Sequence, residues 1–88
     1  MVATAYKYAH LAGAGTTVVA SGRVTLHSVT VGTAGTTVTI YDNTAASGQV
    51  IAIIGAITGT FVYDVQCNIG ITVVVAGSGD ACVTYADW

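Results

Sequence analysis

The sequence predicts an all-β domain, a sandwich or barrel of seven to eight short strands. Four observations lead there. Thirty-five of the 88 residues are Val, Ile or Thr, whose branched Cβ suits a pleated sheet and disfavours a helix. Long-chain helix formers are nearly missing: no Glu, one Lys, one Arg, two Leu and one Met. Helical periodicity does not persist over ten residues anywhere, an ambiguous Ile51–Ile57 run aside. Gly and Asn recur roughly every 8 to 12 residues, the spacing of turns in a small β domain.

Strands are expected, in order, at Ala5–Leu11, Thr16–Ser21, Val24–Val31, Thr36–Tyr41, Val50–Ile54, Gly59–Cys67, Ile71–Ala76 and Ala81–Tyr85. In the first, Tyr6 and Tyr8 share a face and Lys7 opposes them. In the fourth, Val38 and Ile40 face one way, and Thr37, Thr39 and Tyr41 the other. In the sixth, Phe61, Val65 and Cys67 form one face while Asp64 and Gln66 point away. The third strand slips phase: Val24 and Leu26 agree, then Val29 and Val31 take the other parity. A β-bulge near His27 or Ser28 produces such a slip; so does a strand that crosses from one sheet to another.

The connections carry turn chemistry. Asp42-Asn43-Thr44-Ala45-Ala46-Ser47-Gly48 is rich in residues that form side-chain turns and accept positive φ. Gly77-Ser78-Gly79-Asp80 does the same before the last strand. Ala14-Gly15-Thr16-Thr17-Val18 recurs as Ala34-Gly35-Thr36-Thr37-Val38. Two related hairpins would explain the match, as would convergence on Gly to open a turn and Thr-Thr-Val to open a strand. There is no Pro, and few charges exist to blunt strand edges, so the edges are expected to meet a partner.

Size and charge bound the function. Eighty-eight residues make one domain, 1–88, with 1–11 a possible docking arm or edge strand. Charged residues are 7% of the chain and mean hydropathy is +0.74, against about a quarter charged in an ordinary soluble domain. Small thin cores are reinforced by disulfides, metals or oligomerisation, and oligomerisation is the expected reinforcement here. Two cations and a net charge of −2 cannot build the basic stripe a nucleic acid requires, nor attract an anionic membrane. The most apolar stretch, Gln49 to Ile57, spans nine residues, about half of a membrane helix. Met1-Val2-Ala3-Thr4 lacks the pattern of a signal peptide, so a cytosolic origin is expected. Cys67 and Cys82 allow one bridge, worth about 3 kcal/mol in the chain-entropy model, but a reducing cytosol favours buried free thiols.

The residues point away from an enzyme. His10 and His27 are the only side chains suited to general-base work at neutral pH; no nucleophile-elbow pattern surrounds a Ser, and no Cys lies in a catalytic signature. His10, His27, Cys67 and Cys82 lack the spacing of a zinc site. Asp42, Asp64, Asp80 and Asp87 belong to no calcium loop, and turn capping explains the first and third more simply. Gly13-Ala14-Gly15-Thr16-Thr17 evokes a phosphate loop, but no Lys follows and no helix is available. No catalytic residue, cofactor, metal or small-molecule substrate is therefore expected. Tyr6, Lys7, Tyr8 and Trp88, at the two ends of the chain, are the candidate interface residues, because exposed aromatics anchor protein contacts or stack on sugars.

From Leu26 onward the chain resembles a known group of proteins. Thr39-Ile40-Tyr41-Asp42-Asn43-Thr44-Ala45-Ala46-Ser47-Gly48-Gln49-Val50-Ile51-Ala52 is similar to "TLYDNTSASGTVIA"-like segments in small virion proteins of tailed bacteriophages. Leu26-His27-Ser28-Val29-Thr30-Val31-Gly32-Thr33-Ala34-Gly35 resembles the "LHRVVVNTAG"-like strand that precedes it there. Tyr63-Asp64-Val65 and Gly70-Ile71-Thr72-Val73-Val74-Val75-Ala76-Gly77 match a "YDV…GLTVVVAG"-like pair. The likeness covers the central and C-terminal two-thirds of the chain. Ser28 stands where Arg often follows the His in those proteins, and no functional residue carries over. The resemblance implies an antiparallel β-sandwich of jelly-roll type and a capsid decoration (cement) protein or a tail-fibre component. As a cement protein it would be a homotrimer or homodimer on the capsid surface, bridging major capsid subunits after assembly in the host bacterial cytoplasm. As a tail-fibre or spike module it would bind a host glycan or receptor.

Overall fold

The computed structural model describes residues 6–33, 35–55, 57–77 and 79–87. Within them the chain forms β1 (Lys7–Ala12), β2 (Gly15–Ser21), β3 (Val24–Val31), β4 (Thr37–Tyr41), β5 (Val50–Ile54), β6 (Gly59–Cys67), β7 (Gly70–Ala76) and β8 (Asp80–Asp87). Each predicted strand is present; β3, β5 and β6 have the expected bounds, and the others differ by one or two residues at an end. The described residues include no helix, and Ile51–Ile54 of the ambiguous run belong to β5.

The strands make two antiparallel sheets in the orders β1-β8-β3-β6 and β2-β7-β4-β5. Successive strands alternate between the sheets except at β4–β5, which alone are sequence neighbours paired to each other. This is the jelly-roll order of two interlocked Greek keys, and the antiparallel sandwich expected from the sequence is the observed fold. The two Gly-Thr-Thr-Val segments open β2 and β4, which flank β7 on opposite sides. Neither belongs to a hairpin with the strand before it, so convergence accounts for the repeat.

The four central strands supply most of the core. Val24, Leu26, Val29 and Val31 of β3 and Val83 of β8 pack against Val38 and Ile40 of β4 and Ile71, Val73 and Val75 of β7. Burying each such side chain contributes about 1.5–3 kcal/mol. β3 keeps its apolar residues inward on both sides of the phase slip because His27 is an extra residue against β8: Leu26 faces Tyr85 and Ser28 faces Thr84. The strand stays in one sheet, so the bulge is the cause of the slip and crossing is not.

The edge strands carry a form of protection other than Pro or charge. Relative to their single neighbours, β2 carries an extra residue at Val19, β5 at Ile51 and β6 at Tyr63–Asp64. Bulges twist an edge and spoil it as a template for pairing. Edge protection is thus built into the register of three described edges although Pro and charge are scarce. β1 is the fourth edge, and it pairs with β8 from Lys7 to Ala12 without a shift.

The loops are held by side chains. Asp42 accepts backbone N–H bonds from Asn68 (3.1 Å), Ile69 (2.9 Å) and Gly70 (3.3 Å), tying the β4–β5 connection to the β6–β7 turn. Asn43 donates through Nδ2 to the Ser47 carbonyl at 2.8 Å, while its own carbonyl accepts from Thr72 Oγ1 at 2.8 Å. At the opposite turn the buried Thr36 hydroxyl accepts the Gly79 N–H at 3.0 Å.

Candidate functional site

The outer face of the β1-β8-β3-β6 sheet gathers the polar chemistry of the chain. Strand alternation sends Tyr8, His10, Cys82, Thr84, Ser28, Thr30 and Thr60 to this face. Hydroxyls pair along it: Ser28 Oγ lies 2.5 Å from Thr84 Oγ1, and Thr30 Oγ1 lies 3.1 Å from Thr60 Oγ1.

Both histidines are held here by carboxylates. His10 Nε2 donates to Asp80 Oδ1 at 2.5 Å, and His27 Nδ1 donates to Asp64 Oδ1 at 2.5 Å. The second pair exists because two irregularities coincide. His27 is the extra residue of β3 against β8, and it faces the extra residue of β6, where Asp64 adopts φ 50°. The Tyr6 ring stacks on the His27 imidazole with centroids 4.0 Å apart and planes 10° from parallel. Continued by one residue, the β1–β8 register sets Tyr6 beside the small, buried Ala86, which leaves room for the ring to lie across β8.

Of the four candidate interface residues, three fall on or next to β1. Tyr6 is engaged with His27, Lys7 lies at the start of β1, and Tyr8 is 72% exposed on the outer face. Trp88 lies outside the described residues, as do residues 1–5 of the possible docking arm, whereas Lys7–Leu11 run along β8 as an edge strand. Sequence reasoning missed the two His–Asp pairs. Its one signal was the parity slip at His27, because the partners are 37 and 70 residues distant in the chain.

Ser28, adjacent to His27 in the chain, turns its hydroxyl to Thr84. Among the described residues no three His, Cys, Asp or Glu side chains converge as a metal site would require. An open cleft of about 440 Å³ lies beside His10, floored by Leu11, Gly13, Gly15, Thr16 and Thr17.

Cys67 and Cys82 are free thiols with different surroundings. Cys67 is buried in the core beside Val24, and Cys82 is half-buried on the outer face, correcting the expectation that both are buried. Burial, reinforced by the Asp42 carboxylate, pushes the Cys67 thiol up to about 11. In the native protein at pH 8, Cys82 should therefore react with a maleimide at least about tenfold faster than Cys67. Mass mapping of the labelled sites checks this, and equal rates would contradict the burial of Cys67.

No family model matches the chain, and no curated protein or solved structure matches it.

Proposed function

We propose that the chain is a bacteriophage virion structural protein, a capsid decoration (cement) protein that stabilises the shell by bridging major capsid subunits. The observation that carries this reading is an exterior that is short of charge and rich in uncovered apolar side chains. Ile53 of β5, Ile57 of the connection that follows and Val62 of β6 are 67%, 57% and 62% exposed. Ile53 faces out from one sheet and Val62 from the other, so apolar groups are uncovered on both outer faces; such surface marks contact with a partner, and a cement protein wedged between shell subunits has few wet faces.

The jelly roll agrees with this role, since the architecture is used in viral capsids and in lectins, although a fold alone does not define a function. The bulged β5 and β6 edges favour side-chain packing over strand addition. Covering this apolar surface supplies about 25 cal/mol per Å², less the cost of association. The glycan-binding alternative draws less support, because Tyr6 already has one ring face against His27 and leaves Tyr8 as the exposed aromatic of β1.

The test is the composition of particles. Phage particles purified from lysates of cells expressing the gene should contain the chain in fixed ratio to the shell protein. Cryo-electron microscopy should then place the sandwich on the capsid exterior. Particles that lack it, or that carry it only on the tail fibre, overturn the cement role.

A further inference from the structure

The described edge strands are not equivalent. β2, β5 and β6 each carry a register shift, whereas β1 is regular from Lys7 to Ala12. The β1 register also reveals which backbone groups point away from β8. The Gly13 N–H donates to the Gly79 carbonyl at 2.9 Å, in line with the β1–β8 register. Ladder bonds in an antiparallel pair alternate, so Lys7, Ala9 and Leu11 direct their N–H and C=O groups at β8. On the other side of β8, Gly32 N–H donates to the Asp80 carbonyl at 2.9 Å, which assigns the even-numbered residues of β8 to β3 and agrees with this phase. Tyr8, His10 and Ala12 therefore aim their backbone donors and acceptors at the free edge.

We infer that β1 pairs antiparallel with β1 of a second copy about a two-fold axis, joining two four-stranded sheets into one of eight. This rests on the assembly role proposed above and names the surface that self-association uses. A two-fold axis normal to the sheet keeps outward side chains outward, so opposed residues must share parity. Centred on Ala9, the pairing sets Tyr8 against the second copy's His10, and His10 against its Tyr8. The small Ala9 side chains then meet at the axis. Aromatic cross-strand pairs of this kind stabilise a sheet, and about four ladder hydrogen bonds form between the Tyr8 and His10 backbones. Centred on His10, the pairing would oppose two imidazoles, which repel when protonated. An isologous contact needs a self-complementary surface, and β1 supplies one from its own sequence. The β2 edge begins two residues after β1, so the second sheet can add to the roughly 800 Å² per partner that a specific interface covers.

The test uses the full chain. Sedimentation velocity at micromolar concentration should find two copies associated, by themselves or within a larger species. Tyr8→Pro removes an edge-facing N–H and no internal ladder bond, and it should weaken association about tenfold or more while the circular dichroism spectrum stays unchanged. Ile53→Lys on β5 should leave association intact. Should Tyr8→Pro fail to fold, Ala9→Cys in a Cys82→Ser background provides an independent reading, since mild oxidation should join two chains through position 9. A wild-type chain that stays single, association that survives Tyr8→Pro but not Ile53→Lys, or an Ala9→Cys chain that does not cross-link overturns the pairing. A single-copy chain that still co-purifies with shells removes this inference alone. A β1-paired dimer missing from particles removes the cement role alone.

Discussion

Gly79→Ala should be among the most damaging single substitutions in the chain. Gly79 holds φ +65°, and a Cβ there would lie 2.5 Å from the carbonyl carbon and 2.7 Å from the Cα of Gly13. Those atoms are backbone fixed by the Gly13–Gly79 hydrogen bond, so no side chain can swing aside. Left-handed backbone costs an Ala about 1–2 kcal/mol, and forcing an atom into filled space adds about 1–3 kcal/mol. A loss of about 3–4 kcal/mol lowers the melting temperature by about 15 °C or more in a domain of this size. Gly13→Ala is the control: φ is +86°, but a Cβ meets nothing within 4 Å. It should show the backbone cost only, about 1–2 kcal/mol. Thermal melts of the two variants compare them directly, and equal losses would mean that the close approach at Gly79 is not real.

Asp42→Ala should destabilise the fold by about 2–3 kcal/mol, the scale of losing hydrogen bonds to a charged group. The carboxylate collects three backbone donors from Asn68, Ile69 and Gly70 and ties two turns together at one end of the sandwich. Partial burial acts to raise its pKa, but the three N–H bonds outweigh it and hold the carboxyl below the ordinary 3.8. A carboxyl whose folded pKa is depressed adds stability above its unfolded pKa and loses it as the pH falls through the folded value. Urea unfolding at pH 7 should therefore separate wild type from Asp42→Asn, and the gap should shrink progressively below about pH 4. A gap independent of pH would show that the charge of Asp42 is not what the turn requires. Asp42 also adds to the rise of the Cys67 thiol, so Asp42→Asn should move that thiol downward as a second readout.

The two sites mark what the chain reveals by itself. Asp42 and Gly79 both lie in turns recognisable from clustered Asp, Asn, Ser and Gly, because turn chemistry is local. The strands were legible for the same reason: alternation such as Val38/Ile40 against Thr37/Thr39 depends on neighbours two residues apart. Even the β3 phase slip could be read, since Val29 and Val31 invert the parity, although the register was needed to tell a bulge from a crossing strand. The His10–Asp80 and His27–Asp64 pairs could not, because each depends on the order in which distant strands meet. The protection of β2, β5 and β6 was hidden likewise. A bulge is a relation between two strands, and Val19 or Ile51 looks ordinary within its own.

The position of β1 bears on how the chain reaches this state. Among the described strands its paired neighbour is β8, so the first of them waits for the eighth to leave the ribosome. Loop closure over such a span makes folding slow, in the millisecond-to-second range of high-contact-order β proteins. During that interval the regular edge of β8 is bare, and a sister molecule nearby could fill it with its own β1. Strand exchange between nascent chains is thus the characteristic misassembly of this topology, and it should grow with expression rate.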